Sequence, residues 1–81
     1  MKVVYLVNSG DQWEGTHVIG AFETDYSARE CAVAECGRLK RQFAPRHLLV
    51  WNEREGMQEL PRFVDGTLGQ LVFVSRVEVK P

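Results

Sequence analysis

Two cysteines and two histidines are the side chains of this sequence best suited to nucleophilic or metal chemistry. Cys31 and Cys36 lie five residues apart, and His17 and His47 lie on either side of them. A nucleophilic site needs a thiolate with a base in reach, and a structural zinc site takes its ligands from a short turn. Both cysteines fall on the inner side of a predicted helix, where a buried thiol stays protonated and the two thiols point apart. The pattern therefore predicts neither a Cys/His active site nor a metal site.

Pairs of acidic residues are the next candidates for chemistry. They occur at Asp11/Glu14, Glu23/Asp25 and Glu53/Glu55. General acid–base catalysis needs an environment that raises one carboxyl pKa and holds the other down, and the neighbouring residues indicate no such pocket. No glycine-rich loop opens a helix, so the sequence predicts no phosphate-binding loop. We therefore expect a protein that is not an enzyme and that uses no cofactor.

One helix is predicted, over residues 25–43. Its apolar stripe consists of Ala28, Cys31, Ala32, Cys36, Leu39 and Phe43. Thr24 is the best candidate for the N-cap, because its hydroxyl can accept from the free amide groups of the first turn. Pro45 ends the helix, since it forces the preceding residue out of the α region. Small residues in the first half of the stripe allow the helix to lie close to a sheet.

Four segments rich in β-branched and aromatic residues are predicted to be strands, at residues 3–7, 16–22, 47–51 and 70–80. A polar turn is predicted at 52–56. The segment 57–64 is either an edge strand or an ordered loop, because Pro61 cannot donate to a central ladder. The expected fold is a single α+β domain over residues 1–81, in the order ββαββ, with an antiparallel sheet of four or five strands covered by the helix.

The strands are apolar on both faces, although a single helix can cover only one. In the last strand we expect Leu71, Phe73, Val77 and Val79 to face the core, which leaves Val72 and Val74 on the second face. An antiparallel sheet with one face in water normally alternates apolar and polar residues. Either residues 57–64 fold over the second face, or another protein covers it, and a second copy of the chain would make a homodimer.

Charge is distributed unevenly along the 81 residues, whose formal net charge is −1. Six acidic and two basic residues occupy positions 1–35, whereas eight basic and five acidic residues occupy positions 36–81. The acidic half predicts a surface that meets a basic partner. The basic residues at the end of the helix suggest an alternative contact with nucleic acid, through Arg38, Lys40, Arg41, Arg46 and His47. Aromatic residues are not interleaved with them, which disfavours direct nucleic-acid binding.

The first half of the chain resembles a group of small phage and bacterial domains. The residues that carry this resemblance are Tyr5-Leu6-Val7, the strand Val18-Ile19-Gly20-Ala21-Phe22-Glu23-Thr24, and Ala28 and Ala32. In that group a V-I-G-x-F-x-T strand runs into a helix with alanines on its inner side. The resemblance covers about half of the chain and implies an antiparallel sheet with one helix.

In its small size and its lack of a catalytic set of residues, the chain also resembles phage-encoded anti-CRISPR proteins. The resemblance is in particular to inhibitors of type I surveillance complexes, type I-C among them. These inhibitors share no motif, so no functional residue can be transferred. The resemblance implies a cytoplasmic protein in the bacterial host that binds a Cas subunit and blocks its basic DNA-binding surface. The residues that we expect to make this contact are Asp11, Trp13, Glu14, Glu23, Asp25 and Trp51. A homodimeric accessory phage protein is the alternative.

Overall fold

A computed structural model of the chain describes residues 2–55 and 57–80, with the backbone alone at Met57. Five strands and one helix follow each other in the order β1, β2, α1, β3, β4 and β5. Their bounds are Lys2–Asp11, Gly15–Phe22, Asp25–Phe43, Trp51–Glu55, Pro61–Asp65 and Gln70–Val79. A short 3₁₀ turn at Met57–Glu59 precedes β4. None of the described helices is long and apolar enough to cross a membrane.

All five strands form one antiparallel sheet, in the spatial order β2-β1-β5-β4-β3. The helix packs on one side of this sheet, against β1, β5 and β2. The predicted α+β fold, an antiparallel sheet covered by a single helix at residues 25–43, is therefore confirmed. The first and last strands are the longest and lie side by side, so the two ends of the described chain are joined at the centre of the sheet.

The helix begins and ends where local chemistry requires. The Thr24 hydroxyl accepts a hydrogen bond from the Ser27 backbone N–H at 3.2 Å, as expected of an N-cap. Ala28 and Ala32 are fully buried against the sheet. A methyl group is the largest side chain that allows this close approach, and Cys36 and Leu39 fill the wider space farther along the helix.

The core lies between the helix and one face of the sheet, and the strand residues that fill it are Val7, Val72 and Val74. The prediction that Leu71, Phe73, Val77 and Val79 face the core is wrong, since the opposite side of β5 does so. β5 is apolar on both sides, so alternation alone could not decide which side meets the helix. Leu49 and Leu60 complete the core from the segments around β3 and β4.

The third predicted strand is wrong in its position. β3 runs over Trp51–Glu55, so the segment predicted as a polar turn at 52–56 is strand as far as Glu55, and Gly56 lies outside the described residues. Residues 47–50 are not in the ladder. The reason is Asp65, the last residue of β4, whose carboxylate accepts the Val50 backbone N–H at 3.0 Å in place of a further ladder bond.

The segment 57–64 contains an internal strand, not an edge strand. β4 lies between β5 and β3. Pro61 is its first residue and pairs with Glu55 of β3, whereas the ladder with β5 covers only Arg62–Val64. No donor is therefore needed from Pro61 toward β5, and a proline at the start of a strand is tolerated. Because β4 lies in the sheet, it does not cover the second face.

Candidate binding surface

The two thiols are poor nucleophiles at neutral pH. Burial, assisted by the negative charge of Glu35, raises the pKa of Cys36 to about 12. The same two causes raise the pKa of Cys31, which lies one helical turn before Glu35. Among the residues that the structure describes, no three His, Cys, Asp or Glu side chains are grouped to hold a metal ion.

A polar cluster lies under the helix, and the apolar stripe gave no sign of it. The Ser9 hydroxyl of β1 donates to the Glu35 carboxylate at 2.6 Å, and both side chains are buried. Arg38 donates two guanidinium N–H groups to the same carboxylate, at 2.5 and 2.9 Å. Glu35 lies within the stripe, one turn before Leu39, with a basic residue three positions later. That position could have indicated a buried ion pair.

The Glu35 carboxylate is held in its charged form. The hydrogen bond from Arg38 lowers its pKa below the ordinary value, burial opposes this shift, and the Ser9 bond and the charges of Arg38 and His17 reinforce it. A carboxylate with a depressed pKa is a weak base, and both of its oxygens are already occupied. This cluster therefore joins the helix to the sheet and offers no free group for catalysis.

The acidic residues predicted to contact a partner form two separate groups. Asp11 and Glu14 lie at the β1–β2 turn, whereas Glu23 and Asp25 lie at the other end of β2, an eight-residue strand about 26 Å long. Glu23 pairs with Lys2 at 3.2 Å, and Asp25 lies 3.9 Å from its i+4 neighbour Arg29. The four acids do not form one continuous acidic surface.

The two tryptophans also lie apart. Trp13 is at the β1–β2 turn and is 76% exposed. Its ring lies over Gly69, where a Cβ atom would collide with it. The Trp51 indole N–H donates to the Cys36 carbonyl at 3.1 Å, so Trp51 packs under the helix. We therefore place Trp13, but not Trp51, on a surface that a partner could reach.

The open face is the side of the sheet opposite the helix, and it is mostly apolar. The helix α1 packs on the other side of the sheet, and the 3₁₀ turn reaches the border of this face, where Gln58 lines a groove with Phe73. The register of the ladders and the alternation along each strand assign its main residues, which are Val4, Leu6, Asn8, Val18, Asn52, Arg54, Arg62, Val64, Leu71, Phe73, Ser75, Val77 and Val79. Apolar sheet surface that is left uncovered commonly marks an interaction site.

Charged residues of the strands are sorted between the two sides of the sheet. The open face carries Lys2, Arg54 and Arg62 and, within the strands, no acidic residue. The helix side carries one basic residue and five acidic ones: Arg76 with Asp11, Glu53, Glu55, Asp65 and Glu78. Lys2 is paired with Glu23, so Arg54 and Arg62 dominate the charge of the open face.

One row of side chains crosses the open face through all five strands. In the register of the ladders, Arg54 lies opposite Arg62, Arg62 opposite Phe73, Phe73 opposite Asn8, and Asn8 opposite Val18. We call these five residues the central row. Neither of its arginines forms an ion pair with a described acidic residue. Arg62, Phe73 and Ser75 also line a groove beside the row.

The basic residues at the end of the helix lie away from the open face. Lys40 and Arg41 occupy the last turn of α1 and are exposed, and Arg46 and His47 follow it. Arg38 is committed to Glu35. Lys40 and Arg41 are well placed to interact with the negative end of the helix dipole.

Comparisons with the models of known protein families, with curated proteins and with solved structures find no match for this chain.

Proposed function

We propose that this chain is a non-catalytic binding protein whose open face recognises a macromolecule that carries negative charge. The observation that supports this most strongly is the sorting of strand charges, with Arg54 and Arg62 on a mostly apolar face that contains no strand acid. Both side chains are exposed and have no acidic partner among the described residues, so they can attract an anion.

The polar groups elsewhere support binding in preference to catalysis. Both thiols have raised pKa values, and the buried Glu35 carboxylate is occupied by Ser9 and Arg38. A second copy of the chain is a less suitable occupant of the open face than an anionic partner. A second copy brings no strand acid to the open face, so a face-to-face dimer offers Arg54 and Arg62 no acidic strand residue to pair with.

The proposal is tested by the retention of the protein on immobilised heparin. We expect the wild type to bind despite its net charge of −1, because a local patch governs the contact. The double variant Arg54→Gln/Arg62→Gln should bind about 5- to 30-fold more weakly, since each exposed charge contact contributes about 0.5–1 kcal/mol.

The matched control is Lys40→Gln/Arg41→Gln, which removes the same number of positive charges from the end of the helix. It should be retained nearly as well as the wild type. An equal loss of heparin retention in both double variants would show that net charge governs retention. A loss of retention confined to the control would place the anion site at the end of the helix. Either result would overturn the proposal.

A second candidate function rests on the β1–β2 turn. Trp13 is exposed beside Glu14, and the Asp11 carboxylate fixes the turn by accepting the backbone N–H groups of Trp13 and Glu14 at 2.9 and 2.6 Å. An exposed tryptophan with neighbouring acids suits a basic protein surface. This turn is the contact that we propose for the inhibitor of a type I CRISPR complex that the resemblance implies.

The inhibitor hypothesis is tested with a purified type I surveillance complex and a target-DNA gel shift. We expect excess wild-type protein to prevent the shift, and Trp13→Ala to relieve the block by at least about tenfold in protein concentration. Val33→Ala, which removes an exposed apolar side chain from the outer side of the helix, should still block. Unchanged DNA binding in the presence of excess wild-type protein rules out this mechanism.

A further inference from the structure

We infer that the central row binds single-stranded nucleic acid, with one unpaired base on Phe73 and the neighbouring phosphates on Arg62 and Arg54. This inference rests on the proposed function of the open face, and it names the chemical class of the partner. It departs from the contact suggested by the sequence at Arg38, Lys40, Arg41, Arg46 and His47, which lie at and beyond the end of the helix.

Phe73 is the aromatic residue of the row, and it has the position of a stacking platform. It is half-buried on β5, the middle strand of the sheet, with β1 on one side and β4 on the other. Every nucleobase has a flat face that can stack on such a ring, and proteins that bind single strands combine this contact with a basic surface. The groove next to Phe73, lined by Arg62 and Ser75, offers space for a base.

The two arginines are adjacent in a way that costs stability. Arg54 and Arg62 are directly opposite in the β3–β4 ladder, and both are exposed. Like charges in this arrangement repel each other, and neither side chain has an acidic partner among the described residues. A phosphate bound between them would remove the repulsion, and the planar guanidinium group suits phosphate oxygens.

A polar group beside the ring can contact the edge of a base. Asn8 is only 9% exposed, and its amide donates to the Ser75 hydroxyl at 3.0 Å. The half-buried Ser75 hydroxyl, two positions after Phe73 on the same face, is therefore the group that a base could reach. Cations, an aromatic ring and a hydroxyl group thus lie side by side, and an unpaired nucleotide offers them a phosphate, a base face and a base edge.

An unpaired strand fits this arrangement better than a duplex or an acidic protein. The bases of a duplex are stacked on each other and present only their edges, so Phe73 would have no ring to stack on. An acidic peptide would use the arginines but would gain nothing specific from the aromatic ring beside them. Dependence of binding on the Phe73 ring therefore distinguishes a single strand from a duplex and from an acidic peptide.

The test measures fluorescence anisotropy of labelled oligothymidylate and oligouridylate, with a duplex of the same length and heparin as competitors. Arg54→Gln/Arg62→Gln should weaken binding and reduce the slope of log K against log salt by about 0.7 for each phosphate that the variant no longer neutralises. Phe73→Leu should weaken binding by about 5- to 150-fold, as expected when one base no longer stacks on an aromatic ring, while Phe73→Tyr should bind like the wild type. The DNA and RNA arms show which sugar is preferred.

Thermal unfolding followed by circular dichroism confirms that each variant is folded before binding is compared. Equal affinity of Phe73→Leu and wild type for the single strands, or tighter binding to the duplex, would overturn the inference. If the protein is retained on heparin through Arg54 and Arg62 but does not bind oligonucleotides, the open face is an anion site for another class of partner. In that case the nucleic-acid inference fails and the proposed function stands. If neither heparin nor oligonucleotide binds, the proposed function fails with it.

Discussion

Replacing Asp65 by alanine is expected to lower the free energy of unfolding by about 3 kcal/mol. The Asp65 carboxylate is fully buried and accepts two backbone N–H groups, from Val50 at 3.0 Å and from Leu68 at 2.8 Å. Its removal leaves two donors without a protein partner at a partly buried site, and each such loss costs about 1–3 kcal/mol. Urea denaturation at neutral pH measures the difference.

Asp11→Ala is the matched control for this prediction. Asp11 also accepts two backbone N–H groups, but it does so at an exposed turn where water can replace it. Its replacement should cost about 1 kcal/mol or less, as for a solvent-exposed cap. If the two alanine variants lose the same stability, burial is not what makes Asp65 important, and our account of the β3–β4 junction is wrong.

Asp65 also explains why part of the fold could not be predicted from the sequence. The run from Leu48 to Val50 is as apolar as a strand, whereas the following Asn-Glu-Arg-Glu segment is polar like a turn. A ladder, however, needs a partner, and β4 ends at Asp65, so pairing begins only at Trp51. The polar segment can form β3 because an edge strand is solvated on one side and is commonly charged.

Other elements could be predicted because their signals are local. The helix could be predicted from local signals alone, namely Thr24, the alanines at 28 and 32, and Pro45. The place of β4 depends on which strands lie beside it, and the first residue of a strand is one of the positions where a sheet tolerates proline. The rule that proline avoids central strands therefore could not place β4 without knowledge of which residues pair with Pro61.

Glu35→Ala is expected to lower the free energy of unfolding by about 2–3 kcal/mol at pH 7. The substitution removes the ion pair with Arg38 and leaves the buried Ser9 hydroxyl without its acceptor. Half of the Arg38 side chain is exposed, so solvent screens the ion pair, and the missing Ser9 bond and the buried volume account for most of the effect. Thermal or urea unfolding of both proteins measures it.

The effect of Glu35→Ala should depend on pH. The pKa of Glu35 is lower in the folded protein than its ordinary value of 4.5, so the part of its stabilisation that depends on the carboxylate charge is fully present above pH 4.5. That part is lost as the pH falls through the pKa of Glu35 in the folded protein. The difference in free energy of unfolding between variant and wild type should therefore narrow there. Glu30→Ala, which removes an exposed acid of the same helix, should change the free energy of unfolding only slightly at pH 7. A loss of unfolding free energy in Glu35→Ala that is equally large in acid and at neutral pH would contradict this role of the Glu35 charge.

The candidate surface was harder to predict than the fold. Counting charges along the chain divided it into an acidic and a basic half, whereas the folded sheet sorts charges by face. Arg54 and Arg62 are eight positions apart and become neighbours only through the β3–β4 register, and Phe73 joins them through the β4–β5 register. A strand period of two could have suggested shared faces, but it could not show which strands are adjacent.

The central claim is that the open face is the binding surface, and backbone amide NMR shifts during titration with a short heparin fragment test it most directly. We predict that the largest shifts fall on the amides of Arg54, Arg62 and Phe73, while those of Tyr26 and Val33 on the outer side of the helix stay in place. Shifts concentrated at Lys40 and Arg41, or at the Trp13–Glu14 turn, would contradict the account.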